Sequence, residues 1–140
     1  MEDAIRLNYE ISPDDFTRAG EASGDVKRKL KQLGVSPEAV RKVAIAMYEG
    51  EINMVIHARG GTIMVEITPQ EILMVLDDVG PGIPDVSLAM QEGYSTAPDA
   101  IRSLGFGAGM GLPNMKKYSD EMEIETQLGV GTKITMKVKI

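Results

Sequence analysis

The chain has no cysteine and a single histidine, His57. Without thiols there is no disulfide, no thiolate nucleophile and no cysteine-bound zinc. With one imidazole, neither a histidine metal cluster nor a Ser-His-Asp triad is expected. A lone histidine near a helix end is more often a hydrogen-bonded structural residue than a catalyst. There is also no apolar run of about eighteen residues, the length a membrane span needs. The opening MEDAIRLNYE has no basic flank ahead of an apolar core. Neither a membrane span nor a signal peptide is expected, and a cytoplasmic location is the default. Positive charge is scarce: 15 Lys and Arg stand against 21 Asp and Glu, a formal net charge of -6. Nucleic acids and anionic membranes need a basic footprint, so both are disfavoured as partners. A nucleotide is not disfavoured, because backbone N–H groups and a metal ion can hold phosphate without side-chain charge.

What is present is an ordinary globular mix, 43% hydrophobic and 26% charged over 140 residues. A chain of that length buries roughly two thirds of the surface its unfolded form exposes. A disordered tail, a collagen-like fibre and a disulfide scaffold are excluded. Residues 3–11 alternate Ile5, Leu7, Tyr9 and Ile11 against polar neighbours and predict a strand. Ser12-Pro13-Asp14 is a helix-start signal, and the helix it opens is expected to run to about Leu33, before Gly34. Ser36-Pro37-Glu38 opens a second helix over about 37–58, ended by Gly60-Gly61. Residues 62–68 and 71–79 predict two strands, the second nearly continuously apolar as in a central strand. Seven of the 15 glycines then fall between Gly80 and Gly111. A short helix is expected over 85–92, followed by a long aperiodic segment to Met110; such loops are usually functional or mobile. Residues 112–119 predict a helix, and 121–127 with 131–140 a closing hairpin about Gly129-Val130-Gly131. The expected fold is α+β: a two-layer sandwich with helices on one face of a mixed, mostly antiparallel sheet.

Three clusters could carry chemistry. On the second helix, which is apolar on most of its circumference, Glu49, Asn53 and His57 fall at i, i+4 and i+8 on one stripe. A buried carboxylate there needs a partner, and an Asn oxygen one turn on suits a hard cation such as Mg²⁺. The plain alternative is a solvated polar face. The second cluster, Asp77-Asp78-Val79-Gly80-Pro81-Gly82, follows the apolar strand. An Asp there could accept a hydrogen bond from an exocyclic amine, and the glycines permit close backbone approach to a flat ligand. A tight turn with solvated acids explains the same residues. In the third cluster, Gly105, Gly107, Gly109 and Gly111 alternate with Phe106, Ala108 and Met110 before Leu112. Such a backbone can wrap an anion. It is neither a P-loop nor a dinucleotide fingerprint, since no Gly-Lys-Ser/Thr follows and the GxGxxG spacing fails. Pure linkers do not interleave large apolar residues in this way.

In order, Glu-x-x-x-Asn on a helix, Asp-x-Gly-x-Gly after a strand, GxGxGL closing a loop, and Gly-x-Gly-Thr in a hairpin resemble the Bergerat-fold ATPases, the superfamily of gyrase, MutL and the histidine kinases. The likeness spans roughly Ile5 to Ile140. Within it the chain looks most like the small bacterial serine/threonine kinases that regulate sigma factors, the anti-sigma factors and switch kinases. Tyr94-Ser95-Thr96, GMGLPNMKKYSD and GVGT resemble the switch kinases more closely.

The resemblance implies a single ATPase domain with an ATP lid over about 84–110. It implies Glu49 as catalytic base, Asn53 as Mg²⁺ ligand and Asp78 as the carboxylate that receives the adenine amino group. Gly80 and Gly82 would shape the adenine pocket, Gly107, Gly109, Gly111 and Leu112 the phosphate side, and Thr132 would support the adenine site. The implied activity is ATP- and Mg²⁺-dependent phosphorylation of a small protein resembling an anti-sigma antagonist. The alternative is a non-catalytic or weakly hydrolytic ATP-binding module that sequesters a partner such as a sigma factor. A homodimer is left open. Two features depart from the pattern: Asp77 doubles the acid before Asp78, and Gly50 sits inside a helix at a cost of about 1 kcal/mol against Ala. Lys116 and Lys117 are within range of phosphates in principle, though lysines after a helix start are more often solvated.

Overall fold

A computed structural model describes residues 4–13, 18–91 and 111–140. Five strands make one sheet: β1 (Ile5–Ile11), β2 (Gly61–Ile67), β3 (Glu71–Asp78), β4 (Glu121–Gln127) and β5 (Gly131–Lys139), in the spatial order β1-β2-β3-β5-β4. The helices are α1 (Glu21–Gln32), α2 (Pro37–His57), α3 (Val86–Ala89) and α4 (Gly111–Lys117). All four strand ladders are antiparallel, so the sheet holds none of the parallel pairing that the sequence reading allowed for. The two-layer α+β reading otherwise stands.

Alternation decides the layers. Ile63, Val65 and Ile67 on β2, Ile72, Met74 and Leu76 on β3, and Ile134, Met136 and Val138 on β5 are all buried. In register they form three rows on one face, Ile67–Ile72–Val138, Val65–Met74–Met136 and Ile63–Leu76–Ile134. Val40, Val43, Ala46, Met47 and Met54 of α2 close the core from above, joined by Val26 and Leu30 of α1 and Met115 of α4. Burying each such side chain contributes about 1.5–3 kcal/mol, and the core as a whole fixes where α2 lies on the sheet.

The second helix starts as the sequence predicts. Ser36 Oγ accepts the Ala39 N–H at 3.3 Å, and Pro37 occupies the first turn. The first helix does not. It begins at Glu21, after Gly20 turns the chain at φ 92°, and Gly20 supplies no side-chain cap. Its cap comes from α2 instead. Glu51, 2% exposed, accepts from the backbone N–H groups of Gly20 (3.0 Å), Ala22 (3.2 Å) and Ser23 (3.0 Å). One carboxylate therefore satisfies three donors at a helix start, where the helix dipole also favours negative charge.

Candidate functional site

Two groups of polar side chains stand out. The first is in the C-terminal half of α2. Glu49 and Asn53 are both half-buried, one turn apart, and both meet α4. Burial raises the Glu49 carboxyl above its ordinary value, and a hydrogen bond from the Asn114 side chain opposes that rise. Asn53 faces Gly111: a methyl group on Gly111 would stand 2.7 Å from Asn53 Nδ2 and 2.9 Å from Oδ1. Asn53 Nδ2 also lies 4.0 Å from Met115 Sδ. Leu112, 8% exposed, anchors the start of α4 in the core. Gly50, the residue out of place in a helix, explains itself here. A Cβ on it would run into Leu76 Cδ2 and lie 3.0 Å from Met115 Cε. The missing side chain lets α2 settle onto β3 and α4 at the level of Glu49.

The second group caps the end of β3. Asp78 is half-buried, and Asp78 Oδ1 accepts the Thr132 N–H at 2.9 Å. Burial raises its carboxyl, the Thr132 N–H lowers it, and the neighbouring Asp77 raises it again. The loop after Asp78 is clamped from both sides. Gly80 donates its N–H to Val130 O at 3.1 Å and would touch Ala58 if it carried a Cβ. Gly82 takes φ 79°, and the Gln127 carbonyl fills the space a side chain would need. Ala58 directly follows α2, five residues beyond Asn53, a rise of about 7.5 Å along the helix. The loop after Asp78 therefore packs, through Gly80, on the residue that follows α2.

Thr132, 6% exposed, does more than receive Asp78. Its hydroxyl lies 2.9 Å from that of Thr126, which also accepts the Ile83 N–H at 2.8 Å. Thr126 and Thr132 are cross-strand partners, and such pairs stabilise hairpins. The hairpin register about Gly129 would have found Thr126, which the sequence reading passed over. Asn114 lies inside GMGLPNMKKYSD, with no spacing signal of its own. Glu51 left no local signal, because its donors lie about thirty residues earlier. Of the residues singled out from sequence, the fold brings Glu49, Asn53, Gly111 and Leu112 into one group and Asp78, Gly80, Gly82 and Thr132 into the other. Gly107 and Gly109, with Tyr94-Ser95-Thr96, lie outside the described residues, as does most of the 84–110 segment. His57 is the last residue of α2. Lys116 and Lys117 are exposed at the far end of α4, and Lys117 Nζ lies 5.4 Å from the Tyr118 ring centre.

The Asn53 amide supplies an oxygen donor, the type of ligand a hard cation such as Mg²⁺ takes. Among the described residues no three His, Asp or Glu side chains gather to hold an ion. Mg²⁺ commonly takes one or two protein oxygens and completes its shell with phosphate and water. The half-buried Asn53 amide is an oxygen of that kind. Among the described residues no helix is long and apolar enough to cross a membrane.

Comparison with known proteins gives a consistent picture. Residues 13–138 match the histidine kinase-like ATPase domain family. An anti-sigma F factor of Clostridium novyi is 34% identical over 117 residues, 79% of this chain and 78% of that protein. The serine/threonine-protein kinase RsbT of Bacillus subtilis is 31% identical over 108 residues, 74% of this chain and 75% of that protein. A crystal structure of RsbU and RsbW domains from Mycobacterium tuberculosis superposes with a TM-score of 0.58 at 15% identity, a likeness of fold. The match covers 94% of this chain and 32% of that longer one.

Proposed function

Because this chain belongs to the histidine kinase-like ATPase family and has anti-sigma F factors and the RsbT kinase among its relatives, we propose that it is an ATP-dependent serine/threonine protein kinase acting on a small protein that resembles an anti-sigma antagonist. The observation that carries this reading is the pairing on α2. A half-buried carboxylate, Glu49, stands one turn from an amide, Asn53, and both face α4 rather than open solvent.

In this reading Asp78 receives the adenine amino group, with the Thr132 N–H fixing one of its oxygens so that the other is left for the base. Gly80 and Gly82 let the backbone lie close to the ring. Residues 84–110, with Gly107 and Gly109, form the lid, and Gly111 and Leu112 close the phosphate side against Asn53. Mg²⁺, held on the protein side by Asn53, would spread the charge of the β- and γ-phosphates. Glu49 accepts the proton of the partner's serine or threonine hydroxyl as that oxygen bonds the γ-phosphorus and ADP departs. Burial serves this step, because a carboxyl raised toward neutrality is a stronger proton acceptor when it is ionised.

The test is incubation with γ-labelled ATP and each small protein encoded beside this one, read by mass spectrometry of serine and threonine. A labelled hydroxyl that disappears with Glu49→Gln, while that variant still binds nucleotide, supports the reading. Transfer that survives Glu49→Gln removes Glu49 from the mechanism. A partner that is bound in an ATP-dependent way yet never labelled favours sequestration instead.

A further inference from the structure

The sheet ends at β1. Among the described residues this strand pairs only with β2, so one edge of its backbone is open. The apolar cover thins there too. Ile63, Val65 and Ile67 of β2 are buried, whereas their partners Tyr9 and Leu7 are half-buried and Ile5 is 41% exposed. A groove of about 440 Å³ lies between β1 and α1, with Asn8, Tyr9, Glu10 and Ile11 on one side and Ala22 and Asp25 on the other. We propose that this edge pairs antiparallel with the same edge of a second copy of the chain, across a two-fold axis at Asn8, so that two five-stranded sheets become one. The inference does not depend on the kinase reading.

The strand itself names its occupant. Residues that face each other in an antiparallel pair lie on the same face of the sheet. A copy of β1 can therefore set Ile5, Leu7, Tyr9 and Ile11 only against one another, and Arg6, Asn8 and Glu10 only against one another. Centred on Asn8, the whole strand pairs: Ile5 faces Ile11, Leu7 faces Tyr9 and Arg6 faces Glu10, each twice by symmetry. Centring on Arg6 or on Glu10 opposes like charges, and centring on Leu7 or on Tyr9 matches neither charge with its opposite. Opposite charges facing across strands are favourable and like charges are not, so the Asn8 register is selected. Arg6 donates to Glu66 at 2.8 Å, but its side chain is 69% exposed and its guanidinium has further donors for a second carboxylate. The Tyr9 hydroxyl donates to Asp25 at 2.7 Å, which pins the strand to α1. The other edge of the sheet gives the contrast. β4 exposes Glu121, Glu123 and Glu125, and every self-pairing register centred between Glu121 and Glu125 sets glutamate against glutamate.

The test is analytical ultracentrifugation of the full chain over a range of concentrations, with two single variants. Glu10→Arg leaves Arg6 facing an arginine, and Arg6→Glu leaves Glu10 facing a glutamate. Each variant should dimerise about tenfold more weakly than wild type, since two facing pairs change from opposite to like charge. An equimolar mixture of the two should recover the dimer, because both facing pairs are then of opposite charge. A cross-link reads the position separately. The chain has no cysteine, so Asn8→Cys places one thiol per copy at the two-fold axis. Facing Cα atoms there stand about 4.5–5.5 Å apart, within reach of a disulfide. Under mild oxidation Asn8→Cys should give a covalent dimer and Glu123→Cys should not. The cross-link decides the matter if Arg6→Glu, which also loses its ion pair with Glu66, fails to fold. A wild-type chain that stays monomeric overturns the inference. So does a dimer that neither charge change weakens, or one that cross-links through Glu123→Cys instead of Asn8→Cys.

Discussion

Replacing Gly50 by Ala sets two effects of known sign against each other. From sequence alone the change should stabilise, since Ala is favoured over Gly inside a helix by about 0.8–1 kcal/mol. The packing says otherwise. The new Cβ would collide with Leu76 Cδ2 and press on Met115 Cε at 3.0 Å. Leu76 is 2% exposed and Met115 fully buried, so neither has solvent to move into. Overpacking of that kind costs about 1–3 kcal/mol. The collision wins, and Gly50→Ala should destabilise by about 1 kcal/mol net, seen as a lower urea midpoint at unchanged slope. Trimming the obstacle tests the cause. Gly50→Ala combined with Leu76→Val should be less destabilised than the sum of the two single changes, by about 1 kcal/mol or more. A Gly50→Ala protein as stable as wild type would refute the claim that this glycine exists to let α2 close on β3 and α4.

Two further outcomes follow from the buried acids. Glu51→Ala leaves the N–H groups of Ala22 and Ser23 buried without an acceptor, at about 1–3 kcal/mol each, so it should cost about 4 kcal/mol in urea unfolding. Hydrogen exchange should show the loss first in α1, and a cost below about 1 kcal/mol would mean that Glu51 does not cap that helix. Asp78→Asn should weaken nucleotide binding by about ten- to a hundredfold by calorimetry, the value of a hydrogen bond to a charged group. The same variant should melt higher than wild type near neutral pH. Because the folded carboxyl is raised, the native state binds the proton more tightly than the unfolded chain, and stability falls as pH climbs through the raised value. Asn removes that penalty, so the gain should vanish in acid, below the ordinary carboxylate range. A melting difference independent of pH would count against a desolvated Asp78.

How much of this was legible beforehand depends on how local the cause is. The strands were readable because alternation at Ile63, Val65 and Ile67, and again at Ile134, Met136 and Val138, is written into consecutive residues. The boundaries of α2 were readable because Ser36, Pro37 and Gly60 act within one turn of their own position. The start of α1 was not. Ser12-Pro13-Asp14 carries the usual signal, yet the helix begins at Glu21, where a carboxylate from another helix supplies the cap. The same limit applies to the site. Glu49, Asn53 and Asp78 stand in the sequence as spaced motifs, whereas Asn114 leaves no spacing to read and Thr126 shows only once the hairpin register pairs it with Thr132. Gly50 lies between these cases: its oddity was visible in the sequence, its reason only in the packing against Leu76.

Glu49 and Glu51 of α2 show how a partly compensated carboxylate differs from a structural one. Glu49 and Glu51 are two residues apart, which turns them to opposite sides of a helix. Glu51 is the more deeply buried, but three backbone N–H groups meet its oxygens. Glu49 is less buried, yet burial is balanced only in part by a single amide, so its carboxyl is left biased toward taking a proton. Asp78 repeats the pattern, with one N–H bond set against burial and the charge of Asp77. Incomplete compensation costs stability, and a fold tolerates it where something outside the chain completes it. In the proposed kinase reading these two under-compensated carboxylates are the ones that receive the nucleotide base and the hydroxyl proton. Glu51 faces α1, on the other side of α2 from Glu49.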